Sequence, residues 1–211
     1  MQVEIWSDII CPWCYIGKRH FETALMNFPH KEELQLLWRS FELDPESPRQ
    51  LPGTLEEMLA HKYDVSLQEA AAMNARVTEA ARTVGLEYRL DNARPGNTLD
   101  AHRLLHHAAS LGLGDKVTER LMHAYFCESL PVGDRAALAR LAPEFGIAEN
   151  EALTLLESDA YLSGVRADEA RADEFGITSV PYFLIDKRIG ISGAQPVEAF
   201  GKALRHAWAG S

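Results

Sequence analysis

The sequence predicts an α/β protein whose single sheet is built from a βαβ half and a ββα half, separated by an all-helical insertion. Three observations carry this. Short β-like runs cluster near the two ends of the chain, at residues 3–6, 34–41, 180–185 and 189–192. Between them, from Thr54 to about Gly176, start and stop signals mark helix after helix. And the first run ends in Cys11-Pro12-Trp13-Cys14, a pair of thiols placed where a strand gives way to a helix.

Val3-Glu4-Ile5-Trp6 reads as a buried or half-buried strand. After the cysteines, Tyr15, Ile16, His20, Phe21, Ala24, Leu25 and Phe28 recur at helical spacing, and Pro29 closes that helix. Leu34 to Phe41 is the second strand, so the opening unit is strand–helix–strand with parallel strands. A loop rich in helix breakers follows, with Asp44-Pro45, Pro48 and Pro52-Gly53.

In the helical stretch, Thr54 with Glu57 and Ser66 with Glu69 have capping-box spacing. Gly85 stops the second helix, and Asn97 or Thr98 starts another that runs to about Leu111. Asp115–Cys127, Asp134–Ala142, Glu149–Leu156 and about Ser163–Phe175 complete the block. Val180 to Ile185 is the third strand, Asp186-Lys187-Arg188 a tight turn and Ile189 to Ser192 the fourth strand. Pro196 opens a last helix with Val197, Phe200, Leu204 and Trp208 on one face. The division expected is a sheet domain of residues 1–52 and 177–211 and a helical insertion of residues 53–176.

The chemistry lies at the cysteine pair. Pro12 suits the first turn of a helix, because its missing N–H has no intrahelical partner there and its φ is already helical. That puts Cys11 at the N-cap and Cys14 one turn along. The unpaired amides of the first turn then favour a Cys11 thiolate, by roughly 0.3–1 kcal/mol or about 2 when partly buried. One unit of pKa is about 1.4 kcal/mol, so the helix terminus alone supplies a shift of about one unit. Two plainer readings compete. Half a zinc site lacks its other half, since Cys127 stands alone and no finger-like histidine pair appears. Two inert buried thiols fit the strand-to-helix context poorly.

The 211 residues are 46 % hydrophobic and 25 % charged, with a net charge of −10. That balance argues against nucleic acid and anionic membranes as partners. No apolar run approaches the roughly 18 residues that span a bilayer, and Glu4 interrupts the N-terminal apolar residues, so no signal peptide is read. The expected compartment is the cytoplasm, where a Cys-x-x-Cys pair is more often catalytic than structural.

Cys11-Pro12-Trp13-Cys14 after the first strand and Val180-Pro181 before the third resemble the thioredoxin superfamily, and the helical insertion narrows the resemblance to its DsbA-like branch. Asn97-Thr98-Leu99-Asp100-Ala101-His102-Arg103, Ala124-Tyr125-Phe126 and Gly193-Ala194-Gln195 extend it to the FrnE-like oxidoreductases. Relatives there include the 2-hydroxychromene-2-carboxylate isomerases and kappa-class glutathione transferases. The resemblance spans nearly the whole chain.

It implies a cis peptide before Pro181 facing the cysteines, with the Val180 N–H and C=O offered to an extended substrate. It also implies catalytic roles for Cys11 and Cys14, and substrate contacts from Pro12, Trp13, Val180, Pro181 and Asn97. For Asn97 a helix-cap role competes. Trp13 departs from the His or Gly-Pro fillings of better-known branches, and an indole offers no cation to the Cys11 thiolate. The Cys11 pKa is therefore expected below about 8.5 but well above the extreme of about 3.5. His102, beside His106 and His107, reads as a satisfied structural or surface histidine, and Cys127 as a buried inert thiol. Asp8 reads as a cap of the following turn, with a proton relay as the alternative.

The expected function is thiol–disulfide exchange, by attack from Cys11 and resolution by Cys14, on a protein or small-molecule disulfide. A cellular thiol reductant would recharge the pair, and a reducing cytosol favours reductase or isomerase work. No metal or organic cofactor is indicated, and a homodimer is left open. The alternative is a glutathione-dependent isomerase or transferase with glutathione as co-substrate; a third reading is a chaperone-like binding module.

Overall fold

The computed structural model describes residues 1–210. Four strands form one sheet in the order β2-β1-β3-β4. β1 (Gln2–Ser7) pairs in parallel with β2 (Gln35–Ser40), Val3 opposite Leu36 and Ser7 opposite Ser40. On its other side β1 pairs antiparallel with β3 (Tyr182–Ile185), which pairs antiparallel with β4 (Ile189–Ser192).

The alternation along β1 explains what covers each face. Val3 and Ile5 point to the side of α1 (Pro12–Met26) and α9 (Val197–Ala209), where Phe21, Phe28, Phe183, Phe200 and Leu204 complete a core. Glu4 and Trp6 point the other way. Trp6 packs with Ala172, Ile177 and Leu184, and its indole N–H donates to the Asp168 carbonyl at 3.0 Å. Glu4 is sealed inside, and its burial cost is met by Arg39 and Arg171, each within 2.7 Å. Burial alone raises this carboxyl, yet the two guanidinium groups hold it below the usual carboxylate range.

Between β2 and β3 run α2 (Leu55–Tyr63), α3 (Leu67–Arg82), α4 (Leu99–Ser110), α5 (Gly114–Glu128), α6 (Arg135–Leu141), α7 (Glu149–Glu157) and α8 (Leu162–Glu174). Both capping boxes form as their spacing predicts: Thr54 and Ser66 each accept from the Glu three residues on, whose carboxylates reach back to the cap amides. Gly85, at φ +76°, ends the α3 turn. These helices share their core with α1: Cys14, Tyr15 and Ile16 sit among Leu104, Leu121 and Phe126. Tyr15, Tyr88 and Phe126 stack in series, with Tyr88 and Phe126 centroids 4.5 Å apart.

The sequence reading misplaces some ends. β3 begins at Tyr182, so Val180 and Pro181 lie in the preceding turn, and Pro196 is the N-cap of α9 rather than its first residue. Three short 3₁₀ turns, at Lys31–Glu33, Leu90–Asn92 and Ala142–Phe145, have no counterpart in the periodicity, which needs a longer segment to register.

Candidate active site at the mouth of the first helix

Cys11 is the N-cap of α1 in extended conformation, with Pro12 at the first helical position. Its amide donates to the Asp8 carbonyl at 3.1 Å, and the Cys14 amide donates to the Cys11 carbonyl at 3.0 Å, which fixes both thiols on one turn. Cys11 keeps 4 % of its surface and Cys14 keeps 1 %. Cys11 lines a cavity of about 370 Å³, and Cys14 does not.

Cys14 is sealed behind it. Burial and the neighbouring Cys11 sulfur push the Cys14 thiol well above its ordinary range; the Ser7 hydroxyl and the Asp8 amide oppose that shift and do not overcome it. Cys14 therefore holds its proton at neutral pH and Cys11 is the thiol turned to the cavity.

The Val180–Pro181 peptide is cis. The Cys11 thiol donates to the Val180 carbonyl at 3.6 Å, so the turn before β3 faces the N-cap directly. What lets the two come together is Gly17 on α1. A Cβ there would lie 3.0 Å from Pro181 Cγ and 3.4 Å from Ala194. On the opposite side the Tyr88 hydroxyl donates to the Pro12 carbonyl at 2.8 Å and holds the start of α1.

The cavity is mostly apolar. Ile10, Trp13 and Val180 line it, together with Leu55, Met58, Leu59, Met73 and Val77 of α2 and α3. Tyr125 and Phe126, both buried, line it as well. Trp13 is 48 % exposed at the rim, beside Leu43 and Tyr63.

Of the residues singled out from the sequence, Cys11, Pro12, Trp13 and Val180 line this cavity, and Pro181 packs against α1 beside it. Asn97 is elsewhere engaged. Its Oδ1 accepts from the Leu99 amide at 2.9 Å and its Nδ2 donates to the Pro45 carbonyl at 3.1 Å, so it caps α4 and laces the proline-rich loop. Asp8 does not cap the following turn: its Oδ2 accepts from the Leu43 amide at 2.8 Å and its Oδ1 faces His102. His102 is fully buried, which rules out a surface histidine, and neither ring nitrogen completes a hydrogen bond, so it is not a satisfied one.

Cys127 is only half-buried, against the expectation of a sealed thiol. It borders a second cavity with Arg19, Arg89 and His123, and burial together with Glu128 raises its thiol. The apolar stretch around it buries Phe126 and leaves the next helix position facing out. Among the described residues no three His, Cys, Asp or Glu side chains gather in a way that would hold a metal.

Sequence reasoning missed Gly17, Tyr88 and the apolar wall from α2 and α3. Met58, Leu59, Met73 and Val77 are spaced as a helix face and carry no other signal; only their position over Cys11 gives them a role.

The model of the DSBA-like thioredoxin domain matches residues 2–205. The structure is similar to that of a probable DsbA oxidoreductase, SCO1869 from Streptomyces coelicolor, with a TM-score of 0.95 at 40 % identity over 100 % of this chain and 91 % of that one. A curated relative, the uncharacterized protein YwbO of Bacillus subtilis, is 28 % identical over 206 residues, covering 97 % of this chain and 96 % of YwbO. The cytosolic disulfide reductase DsbM from Pseudomonas aeruginosa, solved with GSH, shares the fold at a TM-score of 0.66 and 16 % identity over 99 % of this chain and 100 % of that one.

Proposed function

We propose, on the premise that this chain belongs to the DSBA-like thioredoxin domain family, that it is a thiol–disulfide oxidoreductase working through Cys11 and Cys14. The observation that carries the reading is the asymmetry of the pair: Cys11 lines a cavity at a helix N-cap, and Cys14 is sealed one turn behind it with its thiol raised.

The chemistry follows from that asymmetry. The Cys11 thiolate attacks one sulfur of a substrate disulfide; a Cys11–substrate bond forms, the substrate S–S bond breaks, and the leaving thiolate takes a proton from water. Cys14 then attacks the Cys11 sulfur, its proton passing to the departing substrate sulfur. The Cys11–Cys14 bond forms, the mixed disulfide breaks, and the second substrate thiol leaves. The net change is one substrate disulfide reduced to two thiols and one dithiol oxidised to a disulfide, which a cellular thiol reductant returns to the start. The Val180 carbonyl, which holds the Cys11 thiol in the resting protein, is in place to receive an N–H of an extended substrate.

The apolar wall favours a disulfide carried on an apolar body, whether a protein segment or a small molecule, with Trp13 against it at the rim. The compartment we assign is the cytoplasm, where the DsbM neighbour is described as working. A glutathione-dependent isomerase or transferase is the second reading, and the GSH held by DsbM is the observation in its favour; the second cysteine at position 14 counts against it, because that chemistry has no use for a resolving thiol.

The test is Cys14→Ser mixed with an oxidised protein or aryl disulfide. A covalent adduct on Cys11, stable to gel filtration and absent from Cys11→Ser, is expected by intact mass. No adduct, with Cys11 still open to alkylation, overturns the assignment. Glutathione conjugation of a model electrophile that survives Cys14→Ser would favour the second reading.

A further inference from the structure

Directly under the turn that carries Cys11 lies a group of buried charges that the exchange chemistry above does not use. Asp8 follows β1, Glu42 follows β2, and His102 comes from α4 in the helical insertion; all three are buried. His102 Nε2 stands 3.4 Å from Asp8 Oδ1, a charge contact rather than a hydrogen bond. Among the described residues, seven buried side-chain polar atoms lack a hydrogen-bond partner, and five of them belong to these three residues: Asp8 Oδ1, both Glu42 oxygens and both His102 nitrogens. Buried charges held by charge contacts alone, without hydrogen bonds, are costly, so a cluster of them at one place calls for a role.

Asp8 gives that role its direction. Its carbonyl accepts from the Cys11 amide at 3.1 Å, and its own amide acts on the Cys14 thiol, opposing the rise that burial imposes there. Its carboxylate meanwhile binds the Leu43 amide at 2.8 Å and faces His102. One residue thus touches the Cys11 amide and the Cys14 sulfur through its main chain and the insertion through its side chain.

The groups facing His102 are Asp8 from the β1 turn, Glu42 from the β2 turn and Glu169 from α8; Arg166 of α8 stands behind Glu42 at 3.5 Å and behind Glu169 at 2.6 Å. Burial acts to push the imidazolium down, but Asp8, Glu42 and Glu169 outweigh it and hold His102 above the ordinary imidazole range. Glu42, by contrast, is raised by its own burial, against the pull of His102 and Arg166.

We propose that His102 is a positioning residue for the dithiol: as a cation between Asp8 and Glu42, it holds the Asp8 main chain against both cysteines, and loss of its charge releases that turn. The proposal rests on the exchange reading only for its catalytic consequence; the geometric claim stands apart from it.

Two measurements separate the two. In Cys11→Ser/Cys14→Ser protein, where no thiol titrates at the site, amide shifts of residues 9, 10, 11, 13 and 14 followed by NMR move with the His102 ring as pH rises. In the same protein carrying His102→Gln they do not move. Amides that ignore the ring, or that move equally in the His102→Gln background, overturn the proposal whatever the exchange assay shows. In the dithiol protein, the ratio of wild-type to His102→Gln exchange rate is of the order of tenfold below the His102 titration, the scale of a small misalignment of the reacting sulfurs, and falls towards one above it. A constant ratio across pH means a purely structural role and also overturns it. Should His102→Gln fail to fold, Glu42→Gln removes one carboxylate from the cation; the step in the amide shifts then moves to lower pH, and an unmoved step refutes the proposal.

Discussion

Replacing Gly17 by alanine sets two effects of known sign against each other. In the interior of α1, Ala is better than Gly by about 1 kcal/mol on helix propensity alone. The added Cβ, however, would sit 3.0 Å from Pro181 Cγ and 3.4 Å from the Ala194 Cα and Cβ, where carbon pairs prefer about 3.5–4.0 Å. Overpacking of this kind costs roughly 1–3 kcal/mol, so the net change runs from about zero to a loss of about 2 kcal/mol. At this chain length each kcal/mol moves Tm by about 2–4 °C.

The relief available is a small retreat of the Val180–Pro181 turn from α1, which lengthens the 3.6 Å contact between Cys11 Sγ and the Val180 carbonyl. Exchange rate should therefore fall more than stability does, by about tenfold or more, because alignment errors well under 1 Å weigh heavily on a reacting pair. Gly201→Ala in α9 is the matched control. Its Cβ meets only the guanidinium end of Arg205, at 3.3 Å, which can swing aside. There the propensity gain is expected to appear as a raised Tm with exchange unchanged. The assay is thermal unfolding beside kcat/KM for reduction of a protein disulfide. If Gly17→Ala raises Tm as Gly201→Ala does and leaves kcat/KM intact, the close approach across Gly17 does not position the site.

Two further outcomes follow from the side chains around that centre. The Glu119 carboxyl, whose burial would raise it, is brought down to about 2 by Arg19, by Lys18 at 2.9 Å and by the Tyr15 hydroxyl at 2.5 Å. A depressed carboxyl stabilises the fold above its unfolded value of 4.5 and loses that contribution as pH falls towards 2. With Glu119 about a third exposed, the ceiling of about 3 kcal/mol is screened to about 1–2; urea unfolding at pH 6 and pH 3 should show Glu119→Gln losing less stability on acidification than wild type, and equal losses would contradict the assignment. Met58→Glu on α2 places a charge on the cavity wall. It should raise KM for an aryl disulfide by about tenfold while leaving oxidised dithiothreitol, which is too small to reach α2, unaffected; an unchanged aryl KM would remove the cavity from substrate binding.

The parts of this protein legible in its sequence are those set by neighbours in the chain. Val3 and Ile5 alternate with Glu4 and Trp6, and that period of two survives folding because each face meets a different layer. Thr54 with Glu57 and Ser66 with Glu69 form their boxes because both partners lie within one turn. Cys11 falls at the N-cap because Pro12 can stand only at the start of that helix. Contacts across the insertion are another matter. His102 is 94 residues from Asp8 in sequence and 3.4 Å away in space, and nothing local marks it as buried beside a carboxylate. Asn97 reads equally as cap or ligand until the Pro45 carbonyl takes its amide. Cys127 looks sealed beside Phe126, but adjacent helix positions point about 100° apart and only one of the two faces the core.

The most direct measurement is redox equilibration of the protein against a glutathione series, with free thiols alkylated and counted by mass. Cys11 and Cys14 are expected to lose their thiols together in one two-electron transition, while Cys127 stays open to alkylation throughout. Independent oxidation of the two, or a transition that draws in Cys127 in place of Cys14, would contradict it.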